Sequence, residues 1–452
     1  MSQTKSKVYK VLKFGGTSVY NATNNIKEIV LNELKLKEDT KIILILSALS
    51  GITTLLFDIS NSIKNKDNQL CQKLIQEFYD KHLNFINKIL KTDLKNQAIS
   101  ILNESINLIN SYRNEGFNLT IKEEKVIVAQ GEILSSNIYY LYFLENNINC
   151  SLINALDFIK LKENRDLDWD FINDNLTNII NKIDDNLIIT QGYICRNSFG
   201  DIDNLGRGGS DYTASIIGNV VNAKEIYIYS DVSGLHNNDP RFVNRTYPIN
   251  YISFEEAAEL AYFGAKVLHP ATILPADLKN IPVILKNTFN PYSFGTVITR
   301  EIPIAEGFKA VAAKDNITII KIKSYRMLMA YGYLRAVFEI FERYKTTVDM
   351  ITTSEVSISV TIDDTSNLED IIKELSEIAS VEVIPNNTII CIVGYIPINK
   401  AGFLFKVLES IKDIPIRMIS YGSSDYNISL CVDTSYKQQV LEKLNKNLFE
   451  IY

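Results

Sequence analysis

Four short apolar runs constrain this chain most. Val8–Phe14, Ile42–Leu46, Leu187–Thr190 and Glu225–Tyr229 are rich in β-branched residues or leucine, and glycine or serine flanks them. Runs of this kind suit a parallel sheet covered on both faces. Longer amphipathic stretches lie between them: Asn25–Lys37, Asn68–Leu90, Leu94–Glu115 and Ile127–Glu145. The alternation predicts an α/β fold, with a mostly parallel central sheet and helices on both its faces. From about Ile59 to Gly116 the pattern is almost wholly helical, so that stretch reads as an insertion. Pro291, Gly295, Pro303 and Gly307 are breakers that mark a boundary. We place the first domain at 7–300, with the helical insertion at about 60–116.

Beyond that boundary the chain repeats itself at a spacing of 70 residues, Gly332 against Gly402. Without a gap, Thr318, Ile319, Ile320 and Ile322 fall on Thr388, Ile389, Ile390 and Ile392. Val337 falls on Val407, Ile358-Ser359 on Ile428-Ser429, and Asp363 on Asp433. Each unit reads as strand, Gly-containing loop, helix, strand, strand, helix. A bland alternative is coincident β-α-β-β periodicity. Agreement at Gly and Asp positions as well as apolar ones argues instead for one α+β module used twice, at 308–384 and 385–452.

Composition narrows the function. A formal net charge of -6 supplies no basic field for nucleic acid. Cys71, Cys150, Cys195, Cys391 and Cys431 are widely spaced, with no C-x-x-C pair. This pattern argues against a disulfide framework or zinc site and fits a reducing cytosol. His82, His236 and His269 form no ligand cluster, so no protein-held metal is expected. The polar start, Met1 to Lys7, reads as no signal peptide, and a cytoplasmic location is expected. Ile42 to Ile59 is mostly apolar, but Ser47, Ser50, Gly51, Thr53 and Thr54 interrupt it. A buried strand, a loop and a helix start explain it better than a membrane span.

Four motifs carry chemistry. Lys13-Phe14-Gly15-Gly16-Thr17-Ser18 follows the first strand, where two glycines let backbone N–H groups approach an anion and the lysine adds charge. Taken alone, a strand-ending Gly-Gly is more often a plain tight turn. Gly206-Arg207-Gly208-Gly209-Ser210-Asp211 leads into an apolar helix at Ala214–Val221, a ready anion site without the Gly-Lys-Ser/Thr ending of a Walker A loop. Arg207 can grip a carboxylate bidentately, and Asp211 can orient lysines or magnesium. The bland reading is a capped helix with a surface arginine. Ser230 to Arg241 is dense in turn formers, and Phe263-Gly264-Ala265-Lys266 offers a second cation for phosphate. Together they supply what phosphoryl transfer needs: cations, close backbone donors and little covalent chemistry. A Ser–His–Asp hydrolase is poorly supported, since histidines are few and no Gly-x-Ser-x-Gly occurs.

These segments, Lys13–Ser18, Gly206–Ala214, Ser230–Arg241 and Phe263–Pro270, resemble the signatures of aspartate kinases in the amino-acid kinase superfamily. The resemblance runs from about residue 8 to the end, with the motifs in the family's order. The repeat resembles the paired ACT modules of these enzymes. Ile351-Thr352-Thr353-Ser354-Glu355 resembles the effector-binding stretch of lysine-sensitive bacterial members. No homoserine-dehydrogenase segment follows, so the resemblance is to the monofunctional type. It implies phosphorylation of the β-carboxylate of L-aspartate by ATP with Mg2+, the first step toward lysine, threonine and methionine. It also implies feedback through the ACT modules, by lysine, and a homodimer or dimer of dimers.

The resemblance also implies roles residue by residue. Lys13 and Lys266 contact ATP phosphates, while Gly15, Gly16 and Ser47 line the phosphate path. Thr53 lies in a substrate loop, and Glu132 faces the amino group of aspartate. Arg207 clamps the α-carboxylate with Ser210 beside it, and Asp211 organises the site. Ser230, Asp231, His236 and Arg241 match nucleotide contacts, with His236 standing where the family often has Tyr. Met327, Gly332, Tyr333, Leu334, Val348, Asp349, Thr353, Ser354 and Glu355 form the effector pocket. Gly332 lets the chain turn, and Asp349 and Glu355 supply negative charge unless they are merely solvated acids. Two rivals stay open. Another kinase of this fold, such as a glutamate kinase, lacks a reason for the paired repeat. A decayed sensor lacks a reason for Lys13, Arg207, Asp211 and Lys266.

Overall fold

A computed structural model describes residues 7–35, 40–114, 117–263, 270–302, 306–324 and 331–449. Lys266 and Met327 lie outside the described residues. The chain forms two compact units, one of Met1–Leu235, Asn250–Phe254 and Leu268–Glu301, the other of His236–Ile249, Glu255–Val267 and Ile302–Tyr452.

The first unit is built on strands β1 (Val8–Phe14), β2 (Thr40–Leu46), β3 (Ser151–Leu152), β4 (Leu187–Gln191), the hairpin β5 (Ile194–Arg196) and β6 (Ile202–Asn204), β7 (Glu225–Ser230), β8 (Tyr251–Ile252), β9 (Val283–Asn287) and β10 (Thr296–Ile298). Eight of them form one sheet in the order β3-β4-β2-β1-β7-β9-β10-β8, parallel except at the β9–β10 pair. β2 is buried at every position, as a central parallel strand covered on both faces must be.

Helices α1 (Gly16–Asn21), α2 (Thr23–Lys35), α3 (Ile52–Lys64), α4 (Asn68–Ile89), α5 (Leu94–Ser111), α6 (Ile121–Glu145), α7 (Trp169–Ile180) and α8 (Gly209–Val220) fill the connections. Leu12, Phe14, Ile42, Leu44 and Leu46 join Ile26, Val30, Leu134 and Ile138 in one core on one face. On α8, a Cβ on Gly218 would stand 2.5 Å from the Ile226 side chain, so the glycine lets this helix lie close to β7 without moving that side chain. α4 and α5 fall within the expected helical insertion, and Phe78, Phe85, Leu102 and Ile109 tie them to the same core. α6 begins six residues before the expected Ile127, because Thr120 and Glu123 close a capping box there.

The second unit contains helix α9 (Phe254–Tyr262); the next helix, α10 (Pro270–Leu278), belongs to the first unit. Its sheet is antiparallel, in the order β12-β13-β11-β14-β16-β15. The strands are β11 (Gly307–Lys323), β12 (Ile351–Thr353), β13 (Ser357–Ile362), β14 (Ser380–Tyr395), β15 (Ile416–Ser420) and β16 (Asn427–Asp433). Helices α11 (Tyr333–Arg343), α12 (Leu368–Ile378), α13 (Phe403–Ser410) and α14 (Lys437–Phe449) supply the two layers of the repeat.

Two features redraw the expected domains. β11 pairs along its whole length with β14, and the register shifts near Lys314 and Ile317. Residues 307–314 pair with 389–395, and 317–323 pair with 380–387. Val311, from the first half of β11, packs with Ile390, Ile392, Val407 and Leu430. Ile320 and Ile322, from the second half, pack with Val337, Ile358 and Leu375. The strand that completes the second module therefore precedes the first module, and a cut at 384–385 falls inside one continuous strand. Residues 236–249 and 255–263 also pack with this unit rather than with the rest of 7–300. Val311 N donates to Asn237 O at 2.8 Å, Asn237 Nδ2 donates to Asn445 Oδ1 at 2.9 Å, and Lys437 Nζ lies 3.8 Å from the Phe242 ring centre.

Candidate active site

The C-terminal ends of β1, β2 and β4 open onto a cleft of about 430 Å³ in the first unit. Open α/β sheets bind ligands at this edge, where strands give way to loops and helix N-termini. Lys13, Gly16, Ser47, Thr53, Glu132, Arg207, Ser210 and Asp211, expected from the sequence, all line it.

The turn after β1 is tight because the next loop crosses it. A Cβ on Gly16 would stand 2.7 Å from the Ala48 carbonyl oxygen, so the position takes only glycine. Gly15 N donates to Tyr229 O at 3.1 Å, and Ser50 N donates to Gly16 O at 3.1 Å. This lacing presents Lys13 to the cleft. Its ammonium pairs with Asp211 Oδ1 at 2.6 Å, both side chains only 11% exposed. Asp211 stands in the first turn of α8, which starts after Gly208 in the left-handed conformation at φ 72. A carboxylate is favoured at a helix N-terminus, and through Asp211 the lysine is held at the start of that helix. Ser47 Oγ donates to Ser210 Oγ at 2.9 Å and ties the second loop to that helix.

Glu132 comes from the middle of α6, a helix buried on nearly every face. Its side chain is drawn into the cleft wall, with the residue 3% exposed. Oε1 accepts from Ala48 N at 3.3 Å, and Oε2 has no hydrogen-bond partner among the described residues. Burial pushes its carboxyl up to about 8. Arg207, by contrast, is exposed, and no hydrogen bond or ion pair engages it among the described residues. The cleft thus holds a paired cation at the turn after β1, an open guanidinium, and a buried acid lacking a cation among the described residues. No histidine or cysteine lines it among the described residues. It is built to position charged groups rather than to perform covalent catalysis.

Known proteins resemble this chain over most of its length. The model of the amino acid kinase family matches residues 9–287, and that of an ACT domain matches 390–448. Over 466 aligned residues the chain is 32% identical to lysine-sensitive aspartokinase 3 of Escherichia coli strain K12, covering 97% of this chain and 99% of that one. The chain belongs to the aspartokinase family. Chloroplastic aspartokinase 1 of Arabidopsis thaliana is 31% identical over 97% of this chain and 80% of its own. Among solved structures, E. coli aspartokinase III in complex with aspartate and ADP, in the R-state, matches with a TM-score of 0.85 at 29% identity, over 98% of this chain and 100% of that one. The aspartate kinase of Clostridium acetobutylicum matches with a TM-score of 0.80 at 25% identity, over 97% and 100%. The expected amino-acid kinase fold with a C-terminal ACT region holds.

Within the aspartokinase fold, the remaining expected residues divide three ways. Gly15 adjoins the cleft, its Cβ position 3.6 Å from Lys13 Nζ, and Ser230 ends β7 in the same unit with Asp231 just after it. His236 and Arg241 belong to the second unit, where His236 Nδ1 meets Thr246 Oγ1 at 2.9 Å and Arg241 pairs with Asp239 at 2.5 Å. Burial lowers the His236 pKa and disfavours the imidazolium form. Lys266 and Met327 lie outside the described residues.

The expected effector residues fall in the first module. Gly332 takes φ 83 and starts α11 at Tyr333 and Leu334, and Val348 packs on the module core. Thr353 ends β12, and Ser354 Oγ meets Ser357 Oγ at 2.7 Å across the turn holding Glu355. Asp349 is not the solvated acid that the bland reading allowed. Its carboxylate is fully buried, with Oδ1 2.7 Å from Lys314 Nζ and 2.6 Å from Tyr262 Oη.

Tyr193 is a cleft residue that sequence reasoning missed. It holds φ 70, an unusual conformation for an aromatic residue, and Tyr193 N donates to Thr213 Oγ1 at 3.1 Å. The only available signal was the preceding Gly192 at the end of β4, which gives no hint of a side chain in the site.

Proposed function

We propose that this aspartokinase transfers the γ-phosphoryl group of ATP to the β-carboxylate of L-aspartate, giving 4-phospho-L-aspartate and ADP. The observation that carries the reading is the set of charged groups lining the cleft: open Arg207, buried Glu132 and the Lys13–Asp211 pair. In this reading Arg207 takes the α-carboxylate with Ser210 and Thr53 nearby, and Glu132 takes the ammonium. The β-carboxylate is ionised at neutral pH, so no general base is required. Its oxygen forms the new bond to the γ-phosphorus as the bridging P–O bond breaks, and Lys13 offsets negative charge on the transferring group. Asp211, which holds Lys13, is a cleft carboxylate that would face a magnesium ion bound with the nucleotide, and that ion would offset charge on the phosphates. Gly15, Gly16, Ser47, Ser230 and Asp231 complete the nucleotide path. The assignment of His236, Arg241 and Lys266 to that path rests on motif resemblance. The test is ADP release measured with aspartate, glutamate and no acceptor. Aspartate alone should drive turnover, and equal rates with glutamate would point to another kinase of this fold.

Glu132 gives the reading a pH signature. In the free protein its carboxyl is largely protonated at pH 7, and a substrate ammonium stabilises the ionised form. KM for aspartate should therefore fall as pH rises from about 6 to 8, by up to about tenfold per unit, and level off above that. Glu132→Gln should raise KM and flatten this slope. A wild-type KM independent of pH in that range would remove Glu132 from the ammonium site.

For regulation we propose lysine as the effector, bound by the first module with its distal ammonium at Asp349. That ammonium displaces Lys314, which keeps Asp363 at 3.0 Å as an alternative partner. Lysine inhibits only if it binds the inactive conformation more tightly than the active one. Asp349→Ala should abolish inhibition by millimolar lysine with little change in the uninhibited rate. An inhibition curve superimposable on wild type would exclude Asp349. We also propose a homodimer or dimer of dimers through the regulatory sheets, and light scattering giving 51.3 kDa would refute it.

A further inference from the structure

Lys81 connects the helical insertion to the substrate loop. It lies on α4, and its Nζ donates to the Ser50 carbonyl oxygen at 2.5 Å. The same ammonium is 5.6 Å from the centre of the Tyr20 ring, and 3.2 Å from where a Cβ on Gly51 would stand. The loop it grips runs from Ser47 to Gly51 and is otherwise bonded to the cleft. Ser47 reaches Ser210, Ala48 N reaches Glu132, and Ser50 N reaches Gly16 O. Gly51 then turns at φ 77 to start α3, and it lines the cleft itself. Among the described residues, no acceptor engages the Gly51 N–H.

The Ser50 carbonyl and the Gly51 N–H are two ends of one peptide group. A cation bonded to the carbonyl polarises that group and makes its N–H a stronger donor. Lys81 is partly buried and does not line the cleft. It lines a separate hollow with Tyr20, Glu77 and Asp80. Its charge therefore reaches the cleft through the Ser50–Gly51 peptide and not by touching substrate.

We propose that Lys81 is a positioning residue for the acceptor amino acid, fixing the Ser50–Gly51 peptide and strengthening Gly51 N–H as a donor to a substrate carboxylate. This rests on the reading that aspartate occupies the cleft. The test compares wild type, Lys81→Met and Lys81→Arg for both substrates' KM, kcat and melting temperature. Lys81→Met keeps the aliphatic stem and loses the charge. Its KM for aspartate should rise about tenfold, the scale of one charge-assisted hydrogen bond. KM for ATP should change less than about twofold, and Lys81→Arg should recover most of the loss. An unchanged aspartate KM in Lys81→Met overturns the proposal. So does a joint rise in both KM values with a fallen melting temperature, the mark of a merely structural residue. If Lys81→Met does not fold, Lys81→Gln carries the same comparison. Wild type inactive with aspartate would overturn the functional reading and this proposal together, whereas active wild type with an indifferent Lys81→Met overturns this proposal alone.

Discussion

Lys13→Ala should lower kcat by about 10²-fold or more while the circular dichroism spectrum stays that of wild type. Loss of one preorganised group that meets developing charge has this scale. Lys13 is poised for that role: β1 ends beside it, Gly16 admits the crossing loop, and Asp211 holds its ammonium at 2.6 Å. The substitution also strands the Asp211 carboxylate in a largely buried place, so the melting temperature should fall. The double variant Lys13→Ala/Asp211→Asn separates these effects. It should regain much of the melting temperature and none of the turnover. Recovery of turnover in the double variant would mean that Lys13 serves the fold through its ion pair, and near-normal kcat in the single variant would remove it from the phosphate site.

Arg207→Ala should raise KM for aspartate by about 10²-fold and change KM for ATP less than about threefold. Removing one partner of a charge-assisted carboxylate contact has roughly that effect. The asymmetry follows from the structure. Among the described residues no ion pair engages Arg207, so its loss disturbs little before substrate binds. Steady-state kinetics with each substrate varied in turn will decide. If KM for ATP is the one that climbs, Arg207 belongs to the nucleotide side and the acceptor must be placed elsewhere.

The catalytic unit was legible because its signals are local. β1 spans Val8–Phe14 as read, and β2, β4 and β7 differ from expectation by one or two residues. Strongly apolar runs between glycine and serine leave few alternatives. The early start of α6 was also legible in principle, since Thr120 and Glu123 carry the capping-box spacing. The regulatory unit was legible as a repeat but not as a topology. Each half of β11 and of β14 carries apolar residues, and no local pattern says which half completes which module. Tertiary register decides it, through Val311 in one core and Ile320 in the other.

The site divides the same way. Gly-rich turns and their lysine and arginine could be read from the chain, because phosphate and carboxylate chemistry demands those residue types. The pairing of Lys13 with Asp211, far apart in sequence, and the burial of Glu132 depend on how α6 and α8 meet the strand ends. Asp349 shows the same limit. Its sequence neighbours are apolar or hydroxyl residues, and its burial against Lys314 and Tyr262 arises only from packing. Tyr193 entered the cleft through a backbone conformation that no side-chain pattern announces.

The most direct measurement is chemical capture of the product. The full-length protein is incubated with MgATP, L-aspartate and hydroxylamine, which converts an acyl phosphate to a hydroxamate, and the product is identified by mass spectrometry. The account predicts aspartyl β-hydroxamate in equimolar amount with ADP, dependent on aspartate and depressed by lysine. ADP formed without hydroxamate, or hydroxamate formed as readily from glutamate, would contradict it.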